Sequence, residues 1–309
     1  MHLTSSSFAY EYQPLIIERS GVLLEEIAKI KQQVLVKASF RYHPPNSYKL
    51  GEFDKITRAI FHHKWLEASI LARDINYELI KFHDFPSGQT FFEFKEKSGI
   101  HQRRRGWGTY FYNPAYEINT AIEAPHVLFD RFSAEIATDI FVRSKARALL
   151  LSGAHRHANG HNSADVCHLP TSMFQTFHQV GVNNAAKTLQ IHGFSRAKQA
   201  DLPADTEVVI SNGSGQNFPL IQQLQQELRK FNFPAYIYER SQSTAPENKN
   251  SNSLKPNPFR NLAGRKNYQG QYSREHNQTF IHLELAQAVR FSIPRRRKIA
   301  RVIANYIGY

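Results

Sequence analysis

From Gly21 to Lys37 the apolar residues Val22, Leu23, Ile27, Ile30, Val34 and Leu35 recur at helical spacing with Glu and Lys between them, which predicts an amphipathic helix. A second helix is expected from about Phe53 to Arg73, with Ile56, Ile60, Trp65 and Leu71 among its apolar positions. The period then changes. Thr90–Phe94 and Gly108–Tyr112 read as strands, and the polar, Arg-rich stretch Lys97–Arg105 between them as the long loop of a hairpin. Tyr116–Ala124 predicts a strand, Ser133–Arg143 a helix with Ser133 as its N-cap, and the apolar run Ala146–Ser152 a buried strand. Met173–Val180 follows as a helix, Thr188–His192 and Glu207–Ser211 as short strands, and Phe218–Phe231 as a further amphipathic helix. Thr279–Leu285 is a late strand, and Pro294 opens a basic helix running to Tyr309.

This alternation predicts an α/β fold, a mixed and largely parallel sheet flanked by helices on both faces, with the hairpin adding antiparallel strands. Residues 1–88 are expected to form a helical extension packed on a main domain at 89–292, followed by a basic C-terminal helix at 293–309. Within the main domain, Ser241–Lys266 is rich in Ser, Asn, Pro and Lys and is expected to be a mobile loop. A chain of 309 residues can bury one large core without disulfides. Cys167 is the single cysteine, which excludes an intramolecular disulfide framework and fits a reducing compartment. No run of about 18 apolar residues occurs, and the first residues lack signal-peptide character, so a cytoplasmic protein without a membrane span is expected. A processed secreted chain would read the same way. The formal charge of +13 favours acidic partners.

In open α/β sheets ligands bind beyond the carboxyl ends of the strands, so polar residues directly after apolar runs are the candidates for chemistry. The first such place is Glu123-Ala-Pro-His126 with Asp130, a nitrogen and an oxygen donor of the kind an open zinc site needs. A surface histidine near a helix-capping aspartate is the plainer alternative. At the second, Leu149–Gly153 runs into His155-Arg156-His157, with Asp165 and His168 further on; Arg156 is suited to holding a substrate carboxylate. The third is Leu189-Gln-Ile-His192-Gly193, a histidine at a strand end followed by a glycine that permits close approach. In the fourth, Ile281, Leu283 and Leu285 point to one face and His282 and Glu284 to the other. A carboxylate inside an apolar strand is costly unless paired or functional.

Read in order, a hairpin, a strand ending in a histidine with an acidic residue after it, an arginine-bearing loop, His192-Gly193-Phe194 and the late His282-Leu-Glu284-Leu resemble the zinc carboxypeptidase superfamily. The branch they are most similar to is that of N-formylglutamate amidohydrolase-like and poly-γ-glutamate hydrolase-like proteins, over about Thr90 to Arg290. The resemblance implies a metal-dependent amidohydrolase in which His126, an acidic residue after it and His192 bind zinc. It also implies that Glu284 is general base and acid, and that Arg156 binds or polarises the substrate. In carboxypeptidases proper a glutamate stands three residues after the first histidine, whereas Phe129 occupies that position here. The second ligand is therefore open between Asp130, Glu135 and Glu123, with Asp130 preferred because it precedes the expected helix. The charge of the chain and the run Arg103–Arg105 point to an acidic small-molecule or peptide substrate, such as an N-acyl amino acid or a glutamate-rich peptide.

Three other readings compete. The runs Arg103–Arg105 and Arg295–Lys298, with the many Tyr and Phe residues, would suit a non-enzymatic nucleic-acid or polyanion surface, although no nucleic-acid motif accompanies them. A degenerate hydrolase would bind its ligand without turnover. Cys167 beside His168 would make a nucleophile pair only if neighbouring side chains on an extended backbone faced each other, which they do not.

Overall fold

In the computed structural model, residues 16–97, 104–183, 187–216, 218–240 and 257–308 are described. The chain begins with β1 (Ile16–Gly21), α1 (Leu23–Gln33), α2 (Ser47–Phe61), α3 (Trp65–Asp74) and β2 (Tyr77–Asp84). The hairpin β3 (Thr90–Glu96) and β4 (Thr109–Tyr112) follows, then β5 (Ile118–Ala124), α4 (Ser133–Arg143), β6 (Ala146–Leu151), α5 (Met173–Asn183) and β7 (Lys187–Phe194). The last part holds β8 (Val208–Ser211), α6 (Pro219–Lys230), β9 (Ala235–Ile237), α7 (Tyr268–Glu275), β10 (Phe280–Ala286), α8 (Gln287–Arg290) and α9 (Ile293–Ile307). Among the described residues ten strands form one mixed sheet in the order β1-β2-β3-β4-β6-β5-β7-β10-β8-β9. Its central strands β6, β5, β7 and β10 are parallel neighbours.

Side chains alternate across each strand, so the sheet divides its core in two. Ile80, Ile122, Leu149, Leu189, Ile191, Ile210, Ile281 and Leu283 meet the apolar faces of α1, α4, α6 and α9 on one side. On the other, Leu79, Phe94, Tyr110, Tyr112 and Leu150 meet α2, α3 and α5. A smaller cluster joins Phe194, Leu202, Val209 and Tyr238 to Phe259, Leu262 and Ala263.

The α/β class, the mixed sheet and the helices on both faces agree with the sequence pattern. Several local expectations are corrected. The described part of residues 1–88 is not helical alone, since β1 and β2 pair in parallel at the edge of the sheet and β2 continues into the hairpin. The expected helix from Phe53 to Arg73 is two helices, divided where His63 takes a left-handed conformation (φ 59°). Ser133 is the first residue of α4 rather than its cap; Phe132, at φ 70°, holds the cap position. Residues 241–256 of the expected mobile loop lie outside the described residues, while 257–266 pack into the third cluster through Phe259, Leu262 and Ala263. No helix among the described residues is long and apolar enough to cross a membrane.

One buried ion cluster supports the hairpin. Lys95 reaches Glu93 at 2.8 Å and Glu26 at 3.0 Å, all three lying inside the protein. Burial pushes the Glu93 carboxyl from its ordinary 4.5 up to about 7, with Lys95 opposing the shift. The folded state therefore keeps this proton over a pH range where the unfolded chain has released it. The resulting stability is complete below pH 4.5 and is lost as pH rises through 7. In Glu93→Gln, Lys95 keeps Glu26, and the fall in unfolding free energy between pH 5 and pH 8 should be smaller than in the unsubstituted protein by roughly 2 kcal/mol. Urea unfolding of both proteins at the two pH values measures it; equal falls would refute the assignment.

Candidate functional site

On three adjacent parallel strands the face towards α5 and α7 is polar where its reverse is apolar. In register, Gln190 of β7 lies between Glu123 of β5 and His282 of β10, and one step along, His192 lies beside Glu284. Beyond Ala124 the chain leaves β5 in a turn closed by the Asp130 amide donating to the His126 carbonyl at 2.8 Å. This turn brings the His126 and Asp130 side chains back over the end of β7.

His126 Nδ1, His192 Nδ1 and Asp130 Oδ2 form a triangle with every side 3.2 Å. All three residues are buried. A tetrahedral ion with nitrogen and oxygen ligands at about 2.0–2.1 Å separates neighbouring ligand atoms by about 3.3 Å, so the triangle matches one face of such a site. Behind it, His126 Nε2 lies 2.9 Å from Oδ1 of Asp165. Asp165 is itself held by the Cys167 amide at 3.2 Å, His168 Nδ1 at 2.9 Å and the Arg156 guanidinium at 2.5 Å. A carboxylate so pinned accepts a hydrogen bond from Nε2–H and, when His126 is neutral, leaves its Nδ1 with the lone pair towards the triangle.

Charge follows the same geometry. Burial opposes charge on His126, but Cys167, Asp130 and Asp165 around it hold its pKa well above the usual histidine value. Asp130 and Asp165 are both held far below the usual carboxylate range: burial acts against their charge, and the imidazoles against them, His126 and His192 at Asp130 and His126 and His168 at Asp165, overcome it. Three donors at this spacing attract positive charge, either a proton or a metal ion.

Glu284 stands beside the triangle without joining it. A carboxylate oxygen of Glu284 and ring nitrogens of His192 and His282 are no more than 4.8 Å apart. Among the described residues, Glu284 Oε2 and His282 Nδ1 are buried atoms with no hydrogen-bond partner. Burial and the neighbouring Asp130 hold Glu284 well above the carboxylate range, while burial and His192 push His282 well below the histidine range. A cleft of about 1140 Å³ opens over these groups.

Of the candidate residues in the sequence, the fold brings together His126, Asp130, His192 and Glu284. Arg156 lines the same cleft with its guanidinium on Asp165 and over the Phe129 ring. Glu135 points elsewhere, to Lys31 at 2.5 Å, and Glu123 is buried against His178 at 2.8 Å and Gln190 at 2.8 Å. The Cys167 thiol is pushed up to about 11 by burial and sits 3.9 Å from His192 Nε2, whereas His168 turns to Asp165. Of the two basic runs, Arg105 binds Glu96 and stacks on Trp107, Arg295 pairs with Glu207, and Arg296 lies over Phe132; Arg103 falls outside the described residues.

Two contributors escaped the sequence reading. His282 was visible as the partner of Glu284 on one strand face, yet nothing in its spacing showed that its ring would reach His192, at 4.5 Å between centroids. Arg290 gave no signal. It folds back from α8 and donates to the carbonyls of Leu285, Arg131 and Phe194 at 2.9, 2.7 and 3.1 Å.

Comparison with known proteins adds little to this geometry. No protein-family model and no curated protein sequence matches the chain. Among solved structures it is similar to a zinc-free form of YndL, at 13% identity and a TM-score of 0.39 over 62% of this chain and 84% of that one. It is also similar to N-formylglutamate amidohydrolase from Ralstonia eutropha JMP134, at 10% identity and a TM-score of 0.40 over 65% of this chain and 96% of that one.

The glycine after His192 has a steric reason. A Cβ at Gly193 would lie 2.3 Å from Nε and Cζ of Arg290, whose position is fixed by three carbonyls. Gly193→Ala should therefore displace a buried guanidinium and lower stability by roughly 1–3 kcal/mol. Chemical denaturation measures this, and an unchanged midpoint would show that Arg290 moves aside without cost.

Proposed function

We propose that the chain is a metal-dependent hydrolase of an amide or peptide-type bond, with zinc held by His126, Asp130 and His192 and with Glu284 as general base and acid. The observation that carries this reading is the 3.2 Å triangle of two imidazole nitrogens and one carboxylate oxygen, open on the side of the cleft. Two histidines and one carboxylate are a donor set that suits zinc and leaves a position for water or substrate. When bound, zinc would acidify that water and polarise the scissile carbonyl.

The remaining work falls to side chains. Glu284, with an oxygen free of partners beside the triangle, takes the proton of the attacking water and delivers it to the leaving nitrogen. Its raised proton affinity in the metal-free site suits it to hold that proton between the two steps. Arg156 keeps Asp165 in place and presents positive charge to the cleft, where charge grows on the carbonyl oxygen.

An acidic substrate fits the walls. Lys198, Arg240, Arg260, Arg265 and Lys266 are exposed along the cleft, and the acidic residues that line it are Asp130 and Glu284. Cations spread along an open trough favour an N-acyl amino acid with a free carboxylate or a glutamate-rich peptide.

Protein prepared without chelator should contain about one zinc per chain by mass spectrometry, and His126→Ala and His192→Ala should lose it. Glu284→Gln should keep the metal while hydrolysis of acidic N-acyl substrates falls about 10²–10⁴-fold. Failure of the unsubstituted protein to take up zinc would remove the metal reading. Zinc retained with no hydrolysis of any amide tested would leave a binding protein built on a hydrolase site.

A further inference from the structure

Behind His192 lies a second polar chain, different in kind from the carboxylate behind His126. His192 Nε2 is 2.7 Å from Oε1 of Gln190, and Gln190 Nε2 donates to Oε2 of Glu123 at 2.8 Å. Glu123 Oε1 takes His178 Nδ1 at 2.8 Å, and His178 Nε2 lies 3.2 Å from Ser273 Oγ. The order Ser273–His178–Glu123 is that of a hydrolase triad. No substrate reaches it, because Glu123 and Ser273 are 0% exposed and His178 1%. Its groups serve one another, and through Gln190 they serve His192.

The orientation of the Gln190 amide follows from two separate constraints. A carboxylate only accepts, so the end of the amide facing Glu123 must be the nitrogen. The oxygen end also receives Asn267 Nδ2 at 2.5 Å, and Asn267 cannot be turned round, because its own oxygen accepts the Gly270 amide at the start of α7. Gln190 Oε1 therefore faces His192, and an amide oxygen is only an acceptor. Both ring nitrogens of His192 face acceptors, but Nε2 makes the shorter contact, 2.7 Å to Gln190 Oε1 against 3.2 Å from Nδ1 to Asp130 and to His126, so the single proton of the neutral ring is placed on Nε2 and Nδ1 is left bare towards the triangle.

We infer that Glu123 and Gln190 are positioning residues that fix the tautomer and ring angle of His192, and thereby set how tightly the triangle holds a metal ion. The role of the ion rests on the hydrolase reading above; the tautomer does not. Asp165 does the corresponding task for His126 directly, whereas His192 is held through a neutral amide whose carboxylate lies one bond further back. A direct carboxylate makes a histidine a stronger donor than an amide does. The site thus pairs one strongly and one weakly backed histidine.

Long-range nitrogen–proton NMR on the metal-free protein reads the tautomer, and competition with a chromophoric chelator reads zinc affinity. In the unsubstituted protein His192 should be the Nε2–H form. Gln190→Met, which keeps the volume but offers no acceptor, should mix the two tautomers and weaken zinc about 10–100-fold. Glu123→Gln, which frees the Gln190 amide to turn over, should shift both readings in the same direction by less. An Nδ1–H tautomer in the unsubstituted protein, or unchanged tautomer and affinity in both folded variants, overturns the inference. If the unsubstituted protein binds no zinc, the hydrolase reading fails, and the tautomer shift in Gln190→Met alone decides whether Gln190 positions His192.

Discussion

Two carboxylates, two imidazoles and an amide share one face of three central strands, and a protein interior tolerates them only when their polar atoms are partnered. Leaving such a group unsatisfied costs about 1–3 kcal/mol. Glu123, Gln190 and His192 meet this condition through one another and through His178, Asn267 and Ser273. In the same two rows, His282 Nδ1 and Glu284 Oε2 do not. Both belong to residues lining the cleft, whereas Thr188 Oγ1 on β7 and Arg147 Nε on β6, also without hydrogen-bond partners, lie away from it. The reverse face makes this affordable: Ile122, Leu189, Ile191, Ile281 and Leu283 alternate with the polar residues and pack on α4, α6 and α9.

The same condition ties the site to the segment that covers it. Asn267 caps α7 with its oxygen and holds Gln190 with its nitrogen, so the start of that helix and the orientation of the amide are set together. Gln269, the second residue of α7, bonds Gln175 of α5 and the Val166 carbonyl, which joins the loop carrying Asp165 to both helices. Gly264 lies against the His282 ring with no room for a Cβ, whose nearest contact would be 2.7 Å away. The turn before α7 is thus packed on the imidazole by backbone alone.

What the sequence made legible was periodic. The alternation in Phe280–Leu285 and the apolar run ending in His192 showed which side chains leave the core, and strand ends marked where they go. The choice among Asp130, Glu135 and Glu123 was not legible, because it depends on phase within a turn and on strand order. Glu123 still belongs to β5 and points to His178 of α5; Glu135 belongs to α4 and meets Lys31. β1 and β2 were missed for another reason. β1 is a strand only through pairing with residues some sixty positions away across three helices, and β2 gains its place between that distant partner and β3, which its own mixed polarity does not signal. The Gly193–Arg290 contact is of the same kind, with steric room demanded by a residue almost a hundred positions away.

Charge connects the inner site to its surroundings. Asp130, Asp165 and Glu284 stand near two guanidiniums, those of Arg156 and Arg290, so with both histidines neutral the inner wall holds one negative charge in excess. A proton on Glu284 or His126 cancels that excess in the metal-free protein; burial, with Asp130 beside it, favours the proton on Glu284, while on His126 it is favoured, against burial, by Cys167, Asp130 and Asp165. A divalent ion would reverse the sign and release Glu284 to act as a base. The resulting single positive charge, behind a rim of Lys198, Arg240, Arg260, Arg265 and Lys266, would suit a substrate that brings its own carboxylate. On this argument the backing of His192 by an amide instead of a carboxylate also matters electrostatically, since a further full charge beside the triangle would oppose an acidic ligand.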